Sequence, residues 1–225
     1  MCFAEQHYKL DILYNNYASY NVSQMVTDNV PNDSLEKISS EIIGCPLCKL
    51  SRNRKNAVPG EGQISAKLIF IGEAPGKNED EKGKPFVGAA GSILSTAMEK
   101  AGITRSEVFI TNVVKCRPPG NRVPEEDERI ACRPYLERQI SLISPKIVCI
   151  LGSTAYSSIL GGKSITANRG KIVKRNGQKY FLTIHPAAAI YNKNLRSVLE
   201  DDLFKLAKEI KKTADNGKPS LLEYT

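Results

Sequence analysis

The chain has 225 residues, 41% of them hydrophobic and 25% charged, with 16 Gly, 12 Pro and 6 Cys. At roughly 150 residues per domain, this length predicts one domain with appendages, and the composition is too apolar for a disordered chain. No stretch approaches the ~20 apolar residues a membrane helix needs, and the N-terminus lacks the basic start and apolar run of a secretory signal. The reading is an intracellular, cytoplasmic protein with no membrane partner.

Charge is unevenly placed. Of the net +8, residues 1–44 hold two lysines against six acids, a net of −4, so residues 45–225 hold 30 basic against 18 acidic residues, a net of +12. A basic body attracts polyanions, most commonly nucleic acid, although charge alone is a weak signal.

Residues 1–32 read as an irregular extension without an apolar period. Order begins at Asp33-Ser34-Leu35-Glu36, which looks like a capping box, with Leu35, Ile38 and Ile42 on one helical stripe and Gly44 as the stop. After Cys45 and Cys48, the basic stretch from Lys49 to Lys55 reads as loop. Lys67–Gly72 is a short apolar strand. Ser92–Lys100 carries apolar residues at helical spacing, and Val108–Val114 is a second strand. Pro124–Ile143 opens with a proline and four acids, a helix start in sterics and in dipole, with Pro134 expected to break or kink it. Ile147–Gly152 is a third strand and Ser153–Leu160 a helix. Lys171–Arg175 and Gln178–Ile184 flank Asn176-Gly177, a strong hairpin turn. The last helix is expected from Ser197, with Leu199, Leu203, Leu206 and Ile210 buried.

Strands alternating with helices imply a mostly parallel sheet covered on both faces, whose ligands bind at the carboxyl ends of the strands. Those ends carry Gly72-Glu73-Ala74-Pro75-Gly76, Asn112, Gly152-Ser153 and His185-Pro186. An acid, an amide, a hydroxyl and an imidazole on one rim mark a candidate site.

Cys149 sits inside an apolar strand and reads as a buried thiol, and Cys2 stands apart. For Cys45, Cys48, Cys116 and Cys132, disulfides are disfavoured in an intracellular chain, and a zinc ribbon would repeat the C-x2-C knuckle. An iron–sulfur cluster tolerates irregular spacing. Spacing alone leaves metal or cluster binding open against reduced structural thiols.

Taken together, GEAPGKNEDEKGKPFVGAAG (72–91), TNVVKCRPPGNR (111–122), ACRPYL (131–136), ILG (150–152) and HPAAA (185–189) resemble the family 4 uracil-DNA glycosylases, the iron–sulfur type of archaea and bacteria. The resemblance runs from about Leu35 to Ile210. It implies a single α/β/α three-layer domain with a central four-stranded parallel sheet, placed at 33–212 between the extension 1–32 and a tail 213–225. It also implies one [4Fe–4S] cluster on Cys45, Cys48, Cys116 and Cys132. The fifth family lacks the acid that stands here as Glu73, and a DNA-crosslinking relative has a His that Arg117–Ala131 lacks.

The implied activity is base-excision repair: uracil is flipped out of single- or double-stranded DNA and its N-glycosidic bond hydrolysed, leaving an abasic site. Such an enzyme is expected as a monomer at the nucleoid. A sliding clamp is a candidate partner, although the tail shows no convincing clamp-binding signature. Gly72 and Ala74 bring main chain to the base. Phe86 is the platform under the flipped ring, with core packing as the plainer alternative. Asn112 pairs N3–H and O4, a pattern cytosine would reverse, and His185 donates to O2 as charge builds there. Glu73 and Glu79 are the candidate catalytic acids: Glu73 positions water or stabilises the sugar cation and Glu79 lies near the thymine methyl position, where it helps exclusion, but one sequence does not divide their labour. Asp80 and Glu81 read as solvated charges. In the loop after His185, Ile190 is the apolar wedge with Tyr191 as substitute, and Lys193 and Arg196 contact phosphates. Arg117, Arg122 and the basic residues from Lys49 to Lys55 extend that track. The catalytic and uracil-binding residues include no lysine, as expected for a monofunctional enzyme rather than a lyase. The rival from another class is a non-catalytic iron–sulfur DNA-binding module.

Overall fold

The computed structural model describes residues 33–215; the extension 1–32, with Cys2, and the tail beyond 215 lie outside the described residues. Helix α1 (Leu35–Gly44) is capped by Ser34, whose Oγ accepts from Lys37 N at 3.1 Å. The cap falls one residue later than the expected box, so Glu36 closes no capping box; its carboxylate accepts from its own main-chain N–H and from the Ser34 hydroxyl, and supports the helix dipole from the first turn.

The sheet has the order β2-β1-β3-β5-β4. Strands β1 (Leu68–Gly72), β2 (Phe109–Asn112), β3 (Ile147–Leu151) and β5 (Gln178–Thr183) are mutually parallel, as the resemblance implied. A fifth strand, β4 (Ile172–Arg175), adds an antiparallel edge. It is the first arm of the expected hairpin, and Asn176 and Gly177 both take positive φ (48° and 79°), as a two-residue hairpin turn requires.

Side chains of the central strands alternate between two apolar layers. Ile69, Ile71, Val148 and Ile150 pack with Ile38 and Ile42 of α1 and with Leu136 and Ile143 of α4 (Glu126–Ile143). Leu68, Phe70, Cys149 and Leu151 pack with Leu94 and Met98 of α3 (Ala89–Lys100) and with Leu199, Leu203 and Leu206 of α8 (Asn194–Asp215). Cys149 is thus a core residue, completely buried. Near-continuous apolar strands are what a sheet covered on both faces needs.

Four elements shape the rim. Helix α2 (Lys77–Lys82) follows β1, α5 (Ser153–Leu160) follows β3, and the short α6 (Ile165–Asn168) and α7 (Ala188–Tyr191) flank the hairpin. Pro134 does not break α4, which runs through it for 18 residues. The lost hydrogen bond is outweighed by anchors on both sides of it, Glu128 and Cys132 before and Leu136, Gln139 and Ile143 after, all buried. The free edge of β2 is closed by Glu61, which exchanges hydrogen bonds with Ile110 at 3.0 and 2.8 Å. Among the described residues, no helix is long and apolar enough to cross a membrane.

Leu203 is fully buried and its neighbour Phe204 is 45% exposed. Leu203→Ala is expected to cost about 2–5 kcal/mol in denaturant unfolding, against less than about 1 kcal/mol for Phe204→Ala.

Candidate active site and cysteine-lined cavity

The ends of β1 and β2 are in register, with Gly72 opposite Asn112. A Cβ on Gly72 would lie 2.5 Å from Asn112 Oδ1 and 2.6 Å from Phe86 Cζ. Glycine is therefore what lets the amide and the ring meet at this point. His185, which follows β5, lies beside the same ring, its imidazole centroid 5.8 Å from that of Phe86 and tilted by 34°. Gly152 closes β3 with φ +90°, and a side chain there would press on His185 Cβ at 2.8 Å. The four strand ends converge as the topology implied.

Phe86 adopts φ +52°, a left-handed conformation that costs a non-glycine residue on the order of 1–3 kcal/mol. Four hydrogen bonds hold the segment around it. Glu79 Oε1 accepts from Val87 N and Gly88 N at 2.9 and 2.8 Å, and its Oε2 accepts from Gly76 N at 3.1 Å. Arg105 Nη2 donates to the Pro85 carbonyl at 2.7 Å. Gly91 lets the start of α3 approach, since a Cβ there would lie 1.9 Å from the Phe86 oxygen.

These contacts separate the two acids of the first motif. Glu79 is committed to main-chain amides, whereas the half-buried Glu73 carboxylate has no hydrogen-bond or ion-pair partner among the described residues. Ala74 is half-buried against the α1–α4 layer, and its N–H meets no acceptor among them. Asp80 is not a solvated charge: it is 5% exposed and accepts from Lys55 N and Asn56 N at 3.0 and 3.4 Å. Those orphan loop amides need an acceptor, which α2 delivers. Glu81 is exposed, as expected.

Two buried polar atoms beside the Phe86 ring lack any partner, Asn112 Oδ1 and His185 Nε2. Unpaired buried polar atoms are costly, and two at one point mark a place for a polar ligand. The proton on the imidazole is also assigned. His185 Nδ1 accepts from Ala187 N at 3.2 Å, so Nε2 carries the hydrogen and is a donor. Burial pushes the imidazole down to about 4, against a weaker opposing pull from the Glu79 carboxylate, and the ring is neutral at physiological pH.

Cys45, Cys48, Cys116 and Cys132 line a single cavity beneath α1 and α4, together with Ile42 and Tyr135. None of the described cysteines is disulfide-bonded. Among the described residues, no three His, Cys, Asp or Glu side chains gather tightly enough for one metal ion. Four thiols spread around a mostly apolar cavity fit a larger multinuclear centre better than zinc, which draws its sulfurs to about 2.3 Å. Polar hydrogens already point at the sulfurs: Arg54 Nη1 donates to Cys116 at 2.9 Å and Lys115 N to Cys132 at 3.2 Å.

Three members of the expected basic track have partners within the fold, whereas Arg52 and Lys55 are exposed. Arg122 grips Glu128 with both nitrogens at 2.8 and 2.7 Å, Lys49 pairs with Glu125, and Arg117 Nε donates to Asn121 at 2.7 Å. Ile190 and Tyr191 are exposed on α7, Tyr191 at 90%. Lys193 and Arg196 are exposed too, and among the described residues neither pairs with a carboxylate. Arg105, Gly91 and Gln139 escaped the sequence reading. Arg105 and Gln139 act through neighbours distant in the chain, whereas Gly91 lies within the first motif, five residues after the Phe86 it accommodates.

An α/β/α sheet whose strand ends gather Gly72, Glu73, Asn112 and His185 defines a class, and residues 59–208 match the model of the uracil DNA glycosylase superfamily. The chain is 52% identical to a type-4 uracil-DNA glycosylase of Sulfurisphaera tokodaii over 85% of its own length and 90% of the relative's. It is 42% identical to one of Thermotoga maritima over 79% and 95%, and 40% identical to one of Archaeoglobus fulgidus over 85% and 99%. A type-5 enzyme of Pyrobaculum aerophilum matches at 27% over 58% of the chain. The chain belongs to the type-4 uracil-DNA glycosylase family.

Gly91→Ala is expected to displace Phe86 and lower kcat/KM for a uracil oligonucleotide about 10²-fold, with the fold retained by circular dichroism. The His185 shift also has a sign. An unfolded histidine binds its proton near pH 6.5, whereas the folded one resists until about 4. The catalytically neutral ring should therefore give a pH–rate profile without an inflection at 6.5. Unfolding experiments should show a stability loss that begins below pH 6.5, levels off below about 4, and is absent in His185→Ala.

Proposed function

We propose that the chain is a monofunctional uracil-DNA glycosylase whose pocket reads uracil through Asn112 and His185. The observation that carries the assignment is the pair of orphaned atoms, Asn112 Oδ1 and His185 Nε2, buried beside the Phe86 ring. A flipped uracil offers an N3–H donor and acceptors at O4 and O2. Stacked on Phe86, it gives N3–H to Asn112 Oδ1, takes the Asn112 amide hydrogens at O4, and takes the His185 Nε2–H at O2. Cytosine reverses the first two and is refused. As the C1′–N1 bond breaks, its electron pair leaves with the base and collects on O2 and O4. A neutral donor fixed in a dry site stabilises that charge without first having to lose a proton. Glu73, whose carboxylate is unencumbered, holds the water that adds to C1′ and receives its proton. Glu79 does not touch the reaction in this assignment; it holds the strained Phe86 in place.

Ile190 and Tyr191 fill the space left by the flipped nucleotide, and Lys193 and Arg196 meet the phosphates beside it. The substrate is uracil-containing DNA, single- or double-stranded, met by a monomer at the nucleoid, with residues 33–212 as the repair domain. Cys45, Cys48, Cys116 and Cys132 fit a [4Fe–4S] cluster. When bound, it supplies iron–thiolate bonds that tie the end of α1 to the segment after β2 and to α4.

The test is alkaline cleavage of a uracil-containing oligonucleotide. Wild type should yield the abasic product, with Glu73→Ala slower by about 10²- to 10⁴-fold and His185→Ala by about 10²- to 10³-fold. Wild type without abasic product overturns the assignment. Purified protein should be brown with absorbance at ~400 nm that Cys132→Ala diminishes; colourless protein with stoichiometric zinc overturns the cluster.

A further inference from the structure

Lys115 is a cation that the chemistry above does not use. It stands one residue before Cys116 and is 1% exposed. Its Nζ donates to Thr111 Oγ1 at 2.6 Å, to the main-chain oxygen of Asn112 at 2.8 Å and to Gln139 Oε1 at 2.8 Å. Its own main chain is held as well: N donates to Cys132 Sγ at 3.2 Å, and O accepts from Val58 N at 2.7 Å. Gln139 lies seven residues after Cys132 on α4, hence on the same helix face, and its Nε2 donates to the Pro59 oxygen at 2.8 Å. Thr111 Oγ1 donates to that same oxygen at 3.0 Å.

Burying an ammonium is costly, and filling this space would need only a methionine. What an ammonium does that a thioether does not is hold three acceptors at once in fixed directions. One of the three is the carbonyl of the residue whose side chain faces the base. Asn112 is also the last residue of β2; beyond it Val113 N and Val114 N still donate to the Gly72 and Glu73 oxygens of the β1 end, whereas the Asn112 carbonyl takes the Lys115 ammonium.

We infer that Lys115 is a positioning residue for base recognition, its ammonium locking the Asn112 carbonyl, and through it the Asn112 amide, to Gln139 on the helix that carries Cys132. The inference rests on Asn112 reading uracil. The helix that contributes a thiol to the cavity thereby also fixes the aim of the recognition amide, across a single buried side chain.

A double-mutant cycle on the full-length holoenzyme tests this, with kcat/KM on a uracil-containing single strand as readout. Lys115→Met should lose about tenfold in the wild-type background, the ~400 nm absorbance per protein being unchanged. The loss should fall below twofold beside Asn112→Ala and stay near tenfold beside His185→Ala, because only the first background has already forfeited what Lys115 supplies. A general loss of order would weaken both backgrounds alike, and that result overturns the inference. So does a Lys115→Met loss that tracks a fall in the ~400 nm absorbance. If Asn112→Ala itself leaves kcat/KM unchanged, the base-reading assignment fails and takes the inference with it. An Asn112→Ala loss to which the Lys115→Met loss simply adds sinks the inference alone. Should Lys115→Met not fold, Thr111→Val and Gln139→Met remove the side chains that seat the ammonium and carry the same cycle. A threefold or larger loss from either that vanishes beside Asn112→Ala supports the inference, and an undiminished loss overturns it.

Discussion

At the end of β1 a hydrogen atom stands where every other amino acid has carbon. The Asn112 amide and the edge of the Phe86 ring both press into the space a Gly72 side chain would take, at 2.5 and 2.6 Å from its Cβ position. That close approach sets the depth of the pocket. Phe86 reaches it only in a left-handed conformation, so the strain must be held by something else. Glu79 holds it through three main-chain amides, Gly91 yields room at the start of α3, and Arg105 anchors the preceding carbonyl. Much of what surrounds the site keeps one ring beside one amide.

The cysteine-lined cavity and the recognition rim meet along the segment that follows β2. Asn112, Lys115 and Cys116 are nearly consecutive, and α4 closes over them with Cys132 and Gln139 on one face. The basic residues around this cavity are correspondingly inward-looking. Arg54 serves a sulfur, and Arg122 satisfies the buried carboxylate of Glu128, which in turn caps α4 by accepting from Glu125 N at 2.7 Å. Arg54 and Arg122 are thus spent on the scaffold. Exposed cations without a carboxylate partner also stand past His185, at Lys193 and Arg196 beside the helix that presents Ile190 and Tyr191.

Sequence reading did well where one rule acts locally. Apolar runs ending in glycine became parallel strands, Asn176-Gly177 made its hairpin, and the acids after Pro124 opened α4. It misread Asp80 because a run of charges in one segment looks solvated, while the amides that Asp80 binds belong to residues 55 and 56. It overstated Pro134 because the penalty of a helical proline is local but the burial that offsets it is not. It left Glu73 and Glu79 undivided for the same reason.

The sequence by itself determined the residue types, their order at the strand ends, the thiol count and the family. Those follow from composition, from periodicity and from short motifs that carry their own signal. Only the tertiary structure decided that Glu79 is bound and Glu73 open, that the imidazole carries its hydrogen on Nε2, and that Lys115 reaches the Asn112 carbonyl. Each of these depends on which groups from distant segments share one desolvated volume, where an unpaired atom is costly and a paired one is held, and no window of sequence contains that information.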